Sequence, residues 1–172
     1  NNNIENSKEL QIIGRAGVGV DNIDIDSATL RGIIVMNVPD GNTVSAAEHT
    51  IAMLLSLSRN IQFGHSSLLE GRWDRHKLTG SELQDKTLGV VGLGKIGREV
   101  IRRARSFDMK IVGYDPYVSQ EQFDENEIKV VSIDELTKES DYITLHVPMN
   151  DSTRNLFDIE RLKLMKNSAK II

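Results

Sequence analysis

The stretch Thr87-Leu88-Gly89-Val90-Val91-Gly92-Leu93-Gly94-Lys95-Ile96-Gly97 decides the fold. Thr87 to Val91 reads as a short buried strand, apolar and β-branched. Gly92, Gly94 and Gly97 then form a glycine turn that opens a helix, and Ile96, Val100, Ile101 and Ala104 mark the inner face of that helix. Lys110 to Tyr114 is the next strand, and it ends at Asp115, 18 residues beyond Gly97. A glycine triplet alone carries little weight. Set between a strand and a helix, with an acid closing the following strand, it is the fingerprint of a dinucleotide-binding unit.

Each position has a physical task. Gly92 permits the tight turn, Gly94 lets the backbone approach a pyrophosphate, and Gly97 lets the helix pack close to the strand. The N–H groups at the helix start and the helix dipole favour phosphate oxygens. The Asp115 carboxylate can accept hydrogen bonds from both hydroxyls of the adenosine ribose, and it would repel a 2′-phosphate. Pro116 follows it and no arginine stands beside it, so NAD is expected over NADP.

Outward from this centre, strands are expected at Lys129 to Val131, at Tyr142 to Leu145 and from Ala169, with helices at Ile133 to Lys138 and Ile159 to Lys166. This alternation predicts an α/β chain with a Rossmann-type, doubly wound parallel sheet. Upstream, Arg72 to Lys86 is polar and irregular. Asn37-Val38-Pro39-Asp40-Gly41-Asn42 is an inter-element hinge, and a long helix follows it. Asn42 or Thr43 could cap that helix, and Ser45 with Glu48 spells a capping box one turn later. Val44, Ala47, Ile51, Leu54, Leu55 and Ser58 form one stripe, while Ala52, Met53 and Leu57 make the other side apolar too. Such a helix is expected to be buried on several sides, between domains or subunits. Before the hinge, a strand at Leu10 to Gly14, a glycine-rich turn at Arg15 to Asn22, a short helix capped by Asp26 and ending at Gly32, and a strand at Ile33 to Met36 form a strand–helix–strand unit.

The composition narrows the function classes. Apolar residues are 39% and charged residues 27% of the 172, the balance of a globular protein, and the net charge of −4 gives no reason to expect a nucleic-acid partner. Arg98, Arg102, Arg103 and Arg105 fall on one helix and read as a solvated face. The absence of cysteine excludes disulfides and thiolate metal sites and fits a cytoplasmic location. No apolar run nears the ~20 residues of a membrane span. The Asn1-Asn2-Asn3-Ile4 start has neither the charge nor the apolar core of a signal peptide, and both ends read as cuts in a longer protein.

Gly14-Arg15-Ala16-Gly17-Val18-Gly19-Val20-Asp21-Asn22, Val35-Met36-Asn37, Ser45-Ala46-Ala47-Glu48, Gly71-Arg72-Trp73, Gly80-Ser81-Glu82-Leu83, the glycine turn, Gly113-Tyr114-Asp115-Pro116 and Leu145-His146-Val147-Pro148 occur in this order. Together they resemble the D-isomer-specific 2-hydroxyacid dehydrogenases along almost the whole chain. The first of these segments resembles the branch that oxidises 3-phospho-D-glycerate with NAD, in L-serine synthesis.

The resemblance implies that residues 1–39 are the tail of the first segment of a flavodoxin-like substrate domain, and that residues 40–172 are an NAD-binding domain, cut before its end. It implies cofactor contacts from Val18, Gly92, Gly94, Lys95, Ile96, Gly97, Asp115, Val147 and Pro148. It places the substrate carboxylate on the loop of Arg15, Gly17, Val18 and Gly19, held largely by backbone N–H groups. The family's catalytic arginine, glutamate and histidine lie downstream of this chain, so no catalytic residue is expected within it. His146 resembles a structural histidine near the cofactor. His49, on the long helix, reads as a core histidine, and His65 and His76 fall in polar stretches. No clustered ligand set supports a metal. The long helix suggests a homodimer or a larger homo-oligomer. The family also contains glyoxylate, hydroxypyruvate and D-lactate enzymes and non-enzymatic NAD-sensing corepressors, which stand as alternatives.

Overall fold

The computed structural model describes residues 4, 6–124 and 127–172, and the chain divides into two compact units between Thr43 and Val44. In the first unit, β1 (Ile12–Gly14) and β2 (Ile34–Met36) pair in parallel, with Ile12 opposite Ile34. The crossover helix α1 (Ile25–Leu30) buries Ala28 against Ile33, with Ile13 and Val35 packed alongside. The helix cap is Asp24 rather than Asp26: its carboxylate accepts from Ser27 N at 2.9 Å. Asp24 has the extended backbone of a cap, whereas Asp26 already sits in the first turn. Gly32 follows the helix at φ +67°.

The second unit holds α2 (Thr43–Arg59, its first residue on the boundary), α3 (Ile61–Leu69), β3 (Thr87–Val91), α4 (Lys95–Ala104), β4 (Lys110–Tyr114), β5 (Lys129–Val130), α5 (Ile133–Glu139), β6 (Tyr142–Leu145), α6 (Ile159–Leu162) and β7 (Lys170–Ile171). The five strands form one sheet, all pairs parallel, in the order β5-β4-β3-β6-β7. The chain builds outward from β3 in one direction, then returns to start again on the other side at β6. That reversal is the switch point at which open α/β sheets take their ligands. Val91 lies level with Tyr114 on one side and Leu145 on the other, so the loops after β3, β4 and β6 start together.

The sheet is covered on both faces. Leu88 and Val90 pack with Val100, Ile101 and Ala104 of α4 and with Ala47 and Leu54 of α2. Val91, Val112 and Ile143 pack against Leu136 of α5. Successive strand residues serve opposite layers, which is why these strands read as continuous apolar runs. Among the described residues no helix is long and apolar enough to cross a membrane.

Other expectations change as well. The long helix begins at Thr43, so Ser45 lies inside its first turn and does not open a capping box. Within this chain only Ala47, Thr50, Leu54 and Ser58 of that helix are buried, while Ala52 and Met53 are exposed, so the chain itself covers one stripe. His49 falls off that stripe and is exposed, not a core histidine. A second helix, α3, follows at once, where no element was expected. Asn60 breaks the two apart in a left-handed conformation (φ 54°, ψ 35°).

Candidate functional site

The glycine turn is built on clearances. Gly92 sits at φ +94°, and a Cβ there would overlap the carbonyl of His146. Gly92 N donates to Tyr114 O at 2.8 Å, and His146 N donates to Val91 O at 2.7 Å, which binds the ends of the three strands to one another. A Cβ at Gly97 would overlap Gly92 O, so α4 starts as close to the turn as backbone allows. Gly94 is the opposite case. It occupies the cap position of α4, and a Cβ there would meet nothing within 4 Å. The turn is therefore packed where Gly92 and Gly97 stand and open where Gly94 stands.

Asp115 follows β4 and reaches back to this turn. Its Oδ2 accepts from Leu93 N at 3.0 Å, and its Oδ1 accepts from Tyr117 N at 3.0 Å. An ionised carboxylate has about four acceptor positions, so each oxygen retains capacity for a hydroxyl donor. A cavity of about 370 Å³ opens here, lined by Gly92, Gly94, Asp115, His146, Val147 and Pro148. The residues present fit a dinucleotide: open backbone at the start of a ten-residue helix, and a carboxylate with acceptor capacity at one side.

Lys95 and Ile96 begin α4 but do not line this cavity, and the Ile96 side chain packs on the core. The outer wall was not anticipated: it is formed by Tyr117, Asn150, Ser152, Thr153 and Leu156. Asn150 Oδ1 accepts from Ser152 N and Thr153 N, each at 3.0 Å, and Thr153 Oγ1 donates to Pro148 O at 2.5 Å. Polar turn residues just past a strand end at the switch point were the available signal. His146 is half-buried, with Nε2 3.0 Å from Thr144 Oγ1, and burial holds its pKa below the usual imidazole value. It is a neutral polar wall at neutral pH.

In the first unit, four carbonyls of the loop from Arg15 to Gly19 are engaged. Arg15 O accepts from Gly17 N (2.8 Å), Gly17 O from Val38 N (3.0 Å), Val18 O from Asn37 Nδ2 (2.9 Å) and Gly19 O from Arg15 Nε (3.2 Å). Trans peptide planarity sets each following N–H antiparallel to its fixed carbonyl. The Arg15 side chain closes over its own loop.

The arginines on and just after α4 are more than a solvated face. Arg103 is largely covered and pairs with Glu99 and, at 3.7 Å, with Glu48 of α2, while Arg105 pairs with Glu127. Hydrogen bonds from Arg102, then Arg103, pull the Glu99 carboxyl down to about 2. His65 and His76 are exposed, and among the described residues no group of three or more His, Cys, Asp or Glu could hold a metal.

Residues 51–172 match the model of the D-isomer specific 2-hydroxyacid dehydrogenase, NAD binding domain. D-3-phosphoglycerate dehydrogenase of Methanocaldococcus jannaschii is 49% identical over 98% of this chain, which covers 32% of that protein. The chain thus spans about a third of the curated relatives it matches. Formate dehydrogenase from Granulicella superposes with a TM-score of 0.92 at 29% identity, covering 99% of this chain and 46% of the other. D-lactate dehydrogenase from Aquifex aeolicus, complexed with NAD and lactic acid, gives 0.85 at 36% identity, covering 95% and 49%. With the parallel sheet, the glycine turn and the acid at the end of β4, these matches establish that the chain belongs to the D-isomer-specific 2-hydroxyacid dehydrogenases and carries their NAD-binding domain.

Proposed function

We propose that the protein to which this chain belongs oxidises 3-phospho-D-glycerate to 3-phosphohydroxypyruvate, and that the turn at Gly92, Gly94 and Gly97 with Asp115 seats its NAD. The supporting observation is the 49% identity to a D-3-phosphoglycerate dehydrogenase over nearly the whole chain, the Arg15–Gly19 loop included. NAD, when bound, accepts the hydride. The residues of this chain position it: Gly94, Lys95 and Ile96 offer N–H groups to the pyrophosphate, Asp115 accepts from the adenosine ribose, and Val147 and Pro148 lie against the cofactor. Residues 1–39 belong to the substrate domain. The loop of Arg15, Gly17, Val18 and Gly19 holds the substrate carboxylate, with the Val18 and Gly19 N–H groups as donors, since the Gly17 N–H is taken by Arg15 O, and Arg15 adds charge. The arginine, histidine and glutamate that complete the chemistry lie in the rest of the protein.

The full-length protein should reduce NAD with 3-phosphoglycerate at a kcat/KM at least about tenfold above that with D-lactate or glycerate. A preference for D-lactate, or fast reduction of glyoxylate or hydroxypyruvate with no activity on 3-phosphoglycerate, overturns the substrate assignment and leaves the domain assignment intact.

The enzyme is a homodimer. Phe63 and Leu69 of α3, and Trp73 beyond it, are 69%, 76% and 78% exposed, large apolar side chains that a second copy would cover. Light scattering of the full-length protein should give a dimer, and Phe63→Glu with Trp73→Glu should give a monomer. A wild-type monomer ends the proposal.

A further inference from the structure

We infer that Arg98 is a positioning residue for the cofactor's pyrophosphate, acting through the peptide between Leu93 and Gly94; this rests on the reading of the Gly92–Asp115 region as the NAD seat. Arg98 Nε donates to Leu93 O at 2.9 Å, and its guanidinium carbon lies 4.5 Å from the centre of the Phe123 ring. Arg98 lies outside the lining of the cavity that holds Gly94 and Asp115, so its influence on a ligand there passes through the turn.

The turn has two peptide planes, and each is fixed from a different side. The first joins Gly92 to Leu93. Asp115 Oδ2 takes its N–H, and its carbonyl points to the place where Gly97 has no Cβ. The second joins Leu93 to Gly94. Its carbonyl is taken by Arg98, and the planar trans peptide sets the Gly94 N–H in the opposite direction. Between the two planes, the Leu93 side chain is 1% exposed and packs on the core, so the residue cannot turn as a whole. Arg98 thus decides the direction of one N–H in the only open part of the turn. Its positive charge also polarises that peptide, which strengthens the N–H as a donor to an anion. Phe123 holds the guanidinium over the turn from the outside by a cation–π contact. A solvated arginine needs neither partner.

The test compares ADP-ribose, which carries a pyrophosphate, with adenosine, which does not, on the full-length protein. Binding is measured by calorimetry or by competition with NAD, for wild type, Arg98→Met, Arg98→Lys and Gly94→Val. The expected result is that Arg98→Met weakens ADP-ribose about tenfold and adenosine less than about twofold, and that Arg98→Lys, which can still donate to Leu93 O, recovers most of the loss. Equal losses for both ligands in Arg98→Met would mean a general structural role and overturn the inference, as would unchanged ADP-ribose binding. If Gly94→Val also binds ADP-ribose like wild type, the seat itself has been misassigned and the inference falls with it. If Gly94→Val loses the ligand and Arg98→Met does not, only the role of Arg98 falls.

Discussion

The carboxylate of Asp115 holds the backbone N–H of Leu93 at 3.0 Å, so the acid that closes β4 is also a fastening for the glycine turn that follows β3. Substituting Asp115 therefore does two things at once. Asp115→Arg should weaken NAD at least about tenfold, because a ribose acceptor is lost and the turn is released. It should not give NADP the affinity that wild type has for NAD, because the arginine cannot accept from Leu93 N. Titration of the full-length variant with both cofactors checks this. NAD binding equal to wild type would remove Asp115 from the site.

The clearances at the turn predict opposite results for two glycines three residues apart. Gly94→Val should leave the melting temperature near wild type and abolish NAD binding, since the added side chain enters open space on the ligand's side. Gly97→Ala should destabilise by about 1–3 kcal/mol, because its methyl group overlaps the Gly92 carbonyl and α4 must move. Melting curves and NAD titrations of both variants separate the cases. A Gly97→Ala protein as stable as wild type would contradict the close packing of α4.

His146 predicts a pH dependence with a definite sign. Burial lowers its pKa in the folded state from the usual 6.5. Below that value the unfolded chain binds a proton that the folded chain resists. Stability is therefore fully present above about pH 6.5 and falls as the pH drops through the lower, folded value. In denaturant unfolding of the full-length protein between pH 7.5 and pH 5, His146→Gln should flatten part of the decline. Identical slopes for variant and wild type would show that His146 is not the group responsible.

Leu136 of α5 is fully buried on the face of the sheet opposite α4. Leu136→Ala should cost about 2–5 kcal/mol, read as a fall in the denaturant midpoint. NAD affinity of the folded fraction should be unchanged, since Leu136 lies outside the cavity lining.

The elements nearest the glycine turn were the most legible in the sequence. Thr87–Val91, Lys110–Tyr114 and Tyr142–Leu145 fall where their apolar runs put them, because strands buried on both faces admit few polar residues. Asp115 was legible for a related reason: it is the first residue past the apolar strand that ends at Tyr114, whereas Val147 was named from the family resemblance and packs on the core. The rest failed where the signal was tertiary. Helix α3 presents Phe63 and Leu69 to solvent, so it has no one-sided stripe to read, and only Asn60 hinted at a break. Asp24 and Asp26 are chemically alike, and backbone conformation chose between them. Arg98 looked like one charge among four on a helix, because a hydrogen bond to a carbonyl five residues back leaves no pattern in the sequence.

The overlap that a Cβ at Gly92 would have with the carbonyl of His146 also governs how the seat can move. The two backbones mesh with no slack, and His146 N is tied to Val91 O. The turn and the start of the His146-Val147-Pro148 segment are thus a single rigid jaw. Any adjustment of the seat to a ligand therefore falls on its outer wall, at Tyr117 and the Asn150–Thr153 turn, whose hydrogen bonds are local and exposed.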